Sequence, residues 1–254
     1  MSLVKDLAYK TIDAITLGKG VNRHIGGEEI RFPPKWSRYY EAEYEPETFD
    51  FFHEHIKPGN TVLDIGGHIG LFAVVTARLV GRSGRVFSFE PTPFTRGVMK
   101  EVVELNGVAN IVEIRGEAVS SKRGETVFYD TGTEISNANS LVRSELSKTE
   151  IPITLVSVDE FVSERDLKID CLKIDVEGAE LDVLIGAREV FTRQRPTARL
   201  GLHPVFIEKN GQSLGEIWDL LAEYKLGVVF DDEPGTREWF TDQTDLFDVN
   251  LIPS

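Results

Sequence analysis

The sequence of 254 residues contains one cysteine, Cys171, and no apolar stretch long enough to span a membrane. A single cysteine excludes an intrachain disulfide framework and a cysteine-rich zinc site. Because Cys171 lies in an apolar stretch, we expect a buried structural thiol. Internal repeats and low-complexity tracts are also lacking, which excludes a repeat array.

Basic residues are scarce. The chain has 28 Lys and Arg against 42 Asp and Glu, which gives a formal net charge of −14. Nucleic-acid binding needs a basic footprint. Groups such as Arg78, Arg82 and Arg85 are sparse, so a nucleic-acid partner is not expected, although a local basic groove stays open as an alternative.

Residues 1–20 have an amphipathic pattern that lacks the uninterrupted apolar core of a signal peptide. We expect a helix that packs on the rest of the chain or on a second subunit, and the latter would make a homo-oligomer. Together with the lack of a membrane span, the pattern predicts a cytoplasmic protein. Its apolar members are Val4, Leu7, Ala8, Ile12 and Ile15.

Strand-like and helix-like segments alternate from residue 50 onward. This alternation predicts an α/β, Rossmann-like fold with a mostly parallel seven-stranded sheet and helices on both faces. The predicted strands are 61–65, 85–89, 111–115, 152–157, 169–174, 197–202 and 226–230. The predicted helices are 46–56, 69–80, 93–106, 158–164, 179–192 and 213–224. We expect residues 246–251 to add an antiparallel strand and residues 125–129 to extend an edge.

The chain is long enough to bury one sizeable core, since 41% of its residues are hydrophobic. No long linker rich in Pro, Gly or Ser divides it. We therefore expect a helical or extended segment at 1–45 and one domain at 46–254.

The most informative stretch runs from Thr61 to Gly70 and combines a strand, a glycine-rich turn and the start of a helix. Such a junction brings a helix N-terminus to the carboxyl end of a strand, where a nucleotide-like ligand can bind. A carboxylate at Asp64 suits the ammonium group of S-adenosylmethionine better than the pyrophosphate of NAD. The alternative is that the glycines serve only a tight turn and close packing. The candidate donor-binding residues are Asp64, Gly66, Gly67, His68 and Gly70.

The next strand also ends in an acid, Glu90, followed by Pro91. In nucleotide-binding folds of this type, a carboxylate at the second strand end accepts hydrogen bonds from the ribose hydroxyls. Proline cannot donate to a strand ladder, so Pro91 turns the chain outward. We expect Glu90 to bind the ribose, and Pro91 to lie beside it.

A third strand, at 171–174, ends at Asp175 and is followed by Glu177. Charged residues beside an apolar strand are costly unless they are paired or functional. One alternative is that Lys173 simply pairs with Asp175 or Glu177. The other, which we favour, is that these residues form part of the site.

The segment after the strand at 111–115 is expected to flank the adenine ring. Glu117 and Ala118 follow that strand directly. We predict that the Glu117 side chain or the Ala118 backbone contacts the adenine.

Taken in order, these blocks resemble the FkbM-type methyltransferases over residues 40 to 230. Leu63-Asp64-Ile65-Gly66, Phe89-Glu90-Pro91 and Lys173-Ile174-Asp175-Val176-Glu177-Gly178 carry the resemblance, and the last is the most specific. The resemblance implies a class I methyltransferase that uses S-adenosylmethionine to O-methylate sugars or natural products. The family tends to have a glutamate two residues before a histidine on the following strand. Here His203 is kept, but Gly201 occupies the place of that acid.

A hydroxyl acceptor, on a small molecule or a glycan, needs a base or a metal as charge develops on oxygen. We predict that His203 is the general base, because histidine titrates near neutral pH. Asp175 and Glu177 would shape the acceptor site. The rival mechanism has Asp175 and Glu177 holding Mg²⁺.

Two other functions stay open. A nicotinamide-dependent sugar-modifying enzyme is disfavoured, because no tyrosine is followed by lysine in a Tyr-x-x-x-Lys pattern. A donor-binding protein that has lost catalysis is favoured only by Gly201. The polar stretch from residue 130 to 144, with Asn137, Asn139 and Ser140, could be an acceptor-binding lid or a surface loop.

Overall fold

The structure is a computed structural model that describes residue 11 and residues 15–130 and 149–254. The amphipathic pattern predicted at 1–20 lies mostly outside the described residues. So does the polar stretch with Asn137, Asn139 and Ser140.

The described chain alternates strands and helices as predicted. The strands are β1 (Val21–Ile25), β2 (Glu28–Phe32), β3 (Thr61–Ile65), β4 (Arg85–Phe89), β5 (Val112–Arg115), β6 (Ala118–Val119), β7 (Gly124–Asp130), β8 (Thr149–Val156), β9 (Cys171–Ile174), β10 (Thr197–Leu202), β11 (Leu226–Phe230), β12 (Glu233–Pro234) and β13 (Phe247–Pro253). The α-helices are α1 (Pro46–His55), α2 (Leu71–Val80), α3 (Pro93–Leu105), α4 (Val158–Glu164), α5 (Glu180–Ile185), α6 (Pro204–Lys209), α7 (Leu214–Glu223) and α8 (Arg237–Thr241).

The central sheet has eight strands in the order β12-β11-β13-β10-β9-β3-β4-β5. The strands β10, β9, β3, β4 and β5 run parallel, and β13 lies antiparallel between β10 and β11. The prediction of a mostly parallel α/β sheet is confirmed, and so is the late antiparallel strand. Six of the seven predicted strands lie in this sheet, and it is completed by β13 and by β12, a pair of residues at the edge beside β11.

A separate sheet has the order β6-β8-β7. It contains the segments predicted as strands at 125–129 and 152–157, so neither segment is part of the central sheet. Within β8 only Ile153 and Val156 are fully buried, whereas all four residues of β9 are buried. A strand with an exposed polar face cannot lie between two layers of helices.

Helices cover both faces of the central sheet. On one face α1 and α2 pack with the β1–β2 hairpin around a core that includes Phe52 and Val74. On the other face α4, α5 and α7 contribute Phe161, Leu184 and Ile217. The sheet is therefore the middle layer of three.

The starts of the helices carry the expected signals. Proline opens α1, α3 and α6. Ser157 forms a capping box with Glu160 at the start of α4. The side chains of Ser213 and Thr236 cap α7 and α8 by accepting backbone N–H bonds.

The helix predicted at 179–192 is interrupted. Helix α5 ends at Ile185, and the chain passes through Gly186 to a π-helix at Val190–Gln194. A Cβ atom at Gly186 would lie 2.2 Å from the carbonyl oxygen of Ser120, so a side chain here would force the two segments apart. Within the described ranges, no helix has the length and apolar character of a membrane span.

Candidate active site

A cleft with about 870 Å³ of empty volume lies at the carboxyl ends of β3, β4 and β9. The carboxyl ends of parallel strands are where open α/β sheets bind their ligands. Most of the residues predicted from the sequence line it. They are Gly66, Gly67, His68, Glu90, Pro91, Glu117, Ala118, Asp175 and Glu177.

Three predicted site residues do not line the cleft. Asp64 is fully buried within the sheet. Gly70 is the N-cap residue of α2, with a φ of 90°. His203 follows β10 and approaches the cleft only through Asp175 and Glu177, which its imidazole faces.

The glycine-rich loop is pressed against two strand ends. The backbone N–H groups of Gly66 and Gly67 both donate to the carbonyl oxygen of Phe89, at 3.1 and 2.9 Å. A Cβ at Gly66 would lie 1.8 Å from the carbonyl oxygen of Asp175, and one at Gly67 would lie 2.0 Å from Ser88 Oγ. Close packing therefore requires glycine at both positions, and this packing forms one wall of the cleft.

A row of polar side chains, the polar row, crosses one face of the sheet below this loop. Ser88, Asp64, Lys173, Arg199 and Asn250 are register partners on β4, β3, β9, β10 and β13. Ser88 Oγ donates to Asp64 Oδ2 at 2.7 Å. Burial raises the pKa of Asp64, against the effect of Lys173 and Ser88. Asp64 Oδ2 therefore lies between Ser88 and the backbone of Gly67, beside the loop but outside the lining of the cleft.

Lys173 and Asp175 form an ion pair, which was one of the alternatives drawn from the sequence. Lys173 Nζ donates to Asp175 Oδ2 at 2.8 Å, and Lys173 is 4% exposed. Burial would lower the pKa of Lys173, but the surrounding carboxylates, Asp175 first, raise it. Burial would likewise raise the pKa of Asp175, but Lys173 and His203 hold it below its usual value. Both groups are therefore charged at neutral pH.

Glu90 lies at the end of β4 with its carboxylate on the cleft. One oxygen accepts the backbone N–H of His68 at 3.1 Å, and the other accepts that of Thr92 at 2.8 Å. Burial nevertheless raises the pKa of Glu90 to about 7. The carboxylate is held in a fixed orientation and keeps lone pairs for further donors.

Glu117 and Ala118 lie on the wall beyond Glu90. The Glu117 carboxylate forms an ion pair with Arg115. Burial would raise the pKa of Glu117, but the hydrogen bonds and the charge of Arg115 lower it. The ion pair restrains this side chain, while the Ala118 backbone stays beside the cleft.

His203 is surrounded by carboxylates. Its Nδ1 lies 2.7 Å from Glu180 Oε1, and its Nε2 lies 3.6 Å from Asp175 Oδ1 and 3.5 Å from Glu177 Oε2. Burial would lower the pKa of His203, but the hydrogen bond to Glu180 and the charges of Glu177 and Asp175 raise it to about 9. The imidazole is therefore protonated at neutral pH.

The pKa of Glu177 is shifted in the opposite direction to that of Asp175. Burial raises the pKa of Glu177 to about 7, although the charge of His203 acts in the opposite direction. Its backbone has a φ of 56°, and it lines the cleft. Because Glu177 Oε2 lies 3.5 Å from His203 Nε2, the charge of each group shifts the pKa of the other.

Gly201 stands where the family tends to have a glutamate, and a carboxylate from the neighbouring strand lies next to this position. Gly201 pairs with Asp248 of β13. A Cβ at Gly201 would lie 2.9 Å from Asp248 Oδ1 and 3.5 Å from Asp175 Oδ1. Burial raises the pKa of Asp248 to about 6, against the effect of Arg199. An acid is thus present above residue 201, although residue 201 does not supply it.

The sequence interpretation did not assign four residues to the site, which are Glu180, Tyr40, Tyr44 and Asp248. Glu180 could have been found, because it stands three residues after Glu177 at the start of a helix, where its side chain turns back toward the strand ends. Tyr40 and Tyr44 also line the cleft. They come from the segment before α1, and no local pattern connects that segment with the strand ends.

The pair considered for Mg²⁺ does not have a fitting set of ligands. Asp175 is paired with Lys173, and Glu177 faces the imidazolium of His203. Mg²⁺ prefers oxygen ligands and water, without cations beside them. Over residues 15–130 and 149–254, no group of three or more His, Cys, Asp or Glu side chains could hold a metal ion.

Comparisons with known proteins agree with this architecture. The 31-O-demethyl-FK506 methyltransferase FkbM of Streptomyces tacrolimicus is 27% identical over 208 residues, which cover 70% of this chain and 77% of that protein. The hexuronic acid methyltransferase AglP of Haloferax volcanii is 27% identical over 197 residues, which cover 73% of this chain and 77% of that protein.

The fold itself is found in solved methyltransferases. A candidate rRNA methylase from Clostridium thermocellum superposes with a TM-score of 0.50 at 12% identity, over 82% of this chain and 94% of that chain. This likeness concerns the fold alone. The model of the methyltransferase FkbM domain matches residues 64–228, and these include the loop, Glu90, Asp175 and His203. The chain has the class I methyltransferase fold and belongs to the FkbM methyltransferase family.

Proposed function

We propose that the protein is an S-adenosylmethionine-dependent O-methyltransferase that acts on a hydroxyl of a sugar, a glycan or a natural product. The observation that carries the proposal is the Glu180–His203 pair, whose second imidazole nitrogen faces two carboxylates of the cleft. Two relatives named for a hexuronic acid and for 31-O-demethyl-FK506 support an acceptor of this class.

The cleft fits the proposed donor. Glu90 offers the ribose hydroxyls a carboxylate with a fixed orientation. Asp175 lines the cleft and is ionised, so it can take the ammonium group in place of the buried Asp64. The adenine would lie against Glu117 and Ala118. When bound, S-adenosylmethionine supplies a methyl group on a sulfonium, which leaves the protein to orient the acceptor and to remove a proton.

His203 is the proposed general base. Its Nδ1 is held by Glu180, so the imidazole presents Nε2 in one orientation, toward Asp175 and Glu177 of the cleft lining. It must first lose a proton, because its pKa is raised to about 9. A cation bound in the cleft lowers the pKa of a neighbouring imidazolium. We therefore infer that His203 becomes a base when the cleft holds a sulfonium.

Asp175 and Glu177 are proposed to position the acceptor. Both carboxylates border the space in front of His203 Nε2. Carboxylates accept hydrogen bonds from hydroxyl groups, so a polyhydroxyl acceptor can present one oxygen to Nε2 while a neighbouring hydroxyl is held.

The competing function is that of a donor-binding homologue without catalysis. Gly201 favoured it, because no acid comes from that position. The Asp248 carboxylate above Gly201 removes much of this support. A nicotinamide-dependent function has no supporting observation beyond the sheet topology.

Calorimetric titration of S-adenosylmethionine tests the donor. We expect micromolar binding to the wild type and at least a tenfold loss in Glu90→Ala, because a charge-assisted hydrogen bond contributes about 1.5–3 kcal/mol. Glu104→Gln, at an exposed glutamate of α3, is the matched control and should bind as the wild type does. Stronger binding of NAD would contradict the proposal.

A screen for release of S-adenosylhomocysteine tests the reaction. The acceptors are uronic acids, neutral glycosides and hydroxylated macrolides, with wild type and His203→Ala compared. We expect release with at least one class and its loss in His203→Ala. Donor binding without release in any class would favour the non-catalytic homologue.

A further inference from the structure

The segment before α1 reaches the glycine-rich loop. Tyr40 Oη lies 3.0 Å from His68 Nδ1, and Tyr40 is 6% exposed. The ring of Tyr39 packs on the same imidazole, with 5.0 Å between the ring centroids. Tyr40 and His68 both line the cleft. Residues on both sides of the expected boundary at residue 45 therefore line the same cleft.

The protonation of both groups follows from their surroundings. Burial lowers the pKa of His68 to about 4, so the imidazole is neutral at pH 7. Burial also raises the pKa of Tyr40 well above its usual value, so the phenol keeps its proton. A phenolic O–H is more acidic than an imidazole N–H and is the better donor. Tyr40 thus donates to Nδ1, which leaves the proton of His68 on Nε2.

His68 Nε2 is buried and has no hydrogen-bond partner among the described residues. A buried donor without an acceptor costs about 1–3 kcal/mol. Such a group needs an explanation, and a ligand that supplies the acceptor is one. Because other atoms of His68 line the cleft, a small rotation of the imidazole would bring Nε2 to an acceptor on a molecule bound there.

We infer that Tyr40 positions His68 so that the Nε2–H donates to the carboxylate of the methionine part of the donor. This inference rests on the proposed function. Lys173 is the other candidate for that carboxylate, but its ammonium is already paired with Asp175 at 2.8 Å. A neutral N–H donor avoids that competition. Tyr40 is a positioning residue, since it acts through the imidazole.

The test compares two ligands by calorimetry, S-adenosylmethionine and its decarboxylated analogue. Wild type should bind the first about tenfold more tightly, since a hydrogen bond to a charged group is lost with the carboxylate. His68→Gly suits the left-handed backbone at φ 50° and should remove this preference. Tyr40→Phe should reduce it. Equal weakening of both ligands by His68→Gly would overturn the inference.

Nitrogen NMR of the histidines gives a readout without ligand. We expect His68 to be protonated at Nε2 in the wild type and to show mixed tautomers in Tyr40→Phe. Tyr224→Phe is the matched control, because it removes a buried hydroxyl that donates to Leu184 in the opposite core. A wild-type proton on Nδ1 would overturn the inference. Failure of wild type to bind S-adenosylmethionine would instead overturn the proposed function, while the tautomer would still test the role of Tyr40.

Discussion

His203 Nδ1 donates to Glu180 Oε1 at 2.7 Å, and the Glu180 side chain is completely buried. The same oxygen accepts the backbone N–H of Gly178 at 3.0 Å. One carboxylate therefore joins the end of β10 to the turn before α5. The orientation of the imidazole depends on this bond, and so does part of the stability of the fold.

Glu180→Gln should lower the free energy of unfolding by about 1–3 kcal/mol at pH 6, the cost of weakening a buried hydrogen bond to a charged group. The pKa of His203 is raised from 6.5 to about 9. Its stabilisation is therefore complete below pH 6.5 and is lost as the pH rises through 9. Urea unfolding at pH 6 and pH 9.5 measures the change. Glu223→Gln, which breaks an exposed ion pair with Arg188, should cost less than about 1 kcal/mol at either pH. A loss in Glu180→Gln that does not diminish at pH 9.5 would contradict this assignment.

The pH dependence of kcat/KM for S-adenosylmethionine, which reports ionisable groups of the free protein, should identify the base. If His203 must be neutral, activity rises with pH toward about 9, the value to which its pKa is raised in the free protein. Glu177→Gln removes a carboxylate that favours the imidazolium, so the rise should move to lower pH. A rise centred near 7 that disappears in Glu177→Gln would instead make Glu177 the base, since its pKa is raised to about 7.

Donor binding should release a proton from Glu90. Burial raises the pKa of Glu90 to about 7, whereas hydroxyl donors favour the ionised carboxylate. Affinity for S-adenosylmethionine should therefore increase as the pH rises toward 7 and level off above it. Calorimetry in buffers of different ionisation enthalpy counts the proton. The Glu90→Gln variant should bind S-adenosylmethionine weakly, with an affinity that does not change with pH. An affinity that still increases with pH in this variant would mean that another group releases the proton.

Gly66→Ala should destabilise the protein by about 2–5 kcal/mol. The added Cβ would lie 1.8 Å from a backbone oxygen, and the residue has a φ of 88°. Gly124→Ala is the control, because no atom lies within 4 Å of its Cβ position. The control should change stability by less than about 1 kcal/mol. Thermal unfolding compares the two, and a Gly66→Ala protein as stable as the control would mean that the loop can move away from β9.

The strand ends could be predicted from the sequence because each combines an apolar run with an acid. Glu90 and Asp175 are found on the cleft for this reason. Asp64 follows the same pattern but does not line the cleft, because its carboxylate accepts a hydrogen bond from Ser88 on the neighbouring strand. That outcome depends on register between strands, which no single segment contains.

Most of the other features that were not predicted from the sequence depend on contacts between residues far apart in the chain. The Gly26-Gly27 pair is a hairpin signal in the sequence, and both glycines have positive φ in the turn between β1 and β2, although no hairpin is predicted there. Tyr40 and Asp248 could not have been placed. One is 28 residues from its partner His68, and the other reaches Gly201 from the last strand.

The polar row connects β13, the last strand of the described chain, with buried charged residues in the middle of the central sheet. Arg199 is 7% exposed and shares its guanidinium among Thr48, Asn250 and Asp248. If β13 could not pair, a cation would be stranded in the middle of the sheet, two strands from Asp64. Deletion of β13 should therefore destabilise the whole domain, because it would leave a buried charge without its partners. The effect would extend to the strands that carry the glycine-rich loop and would not be confined to the C-terminal strand.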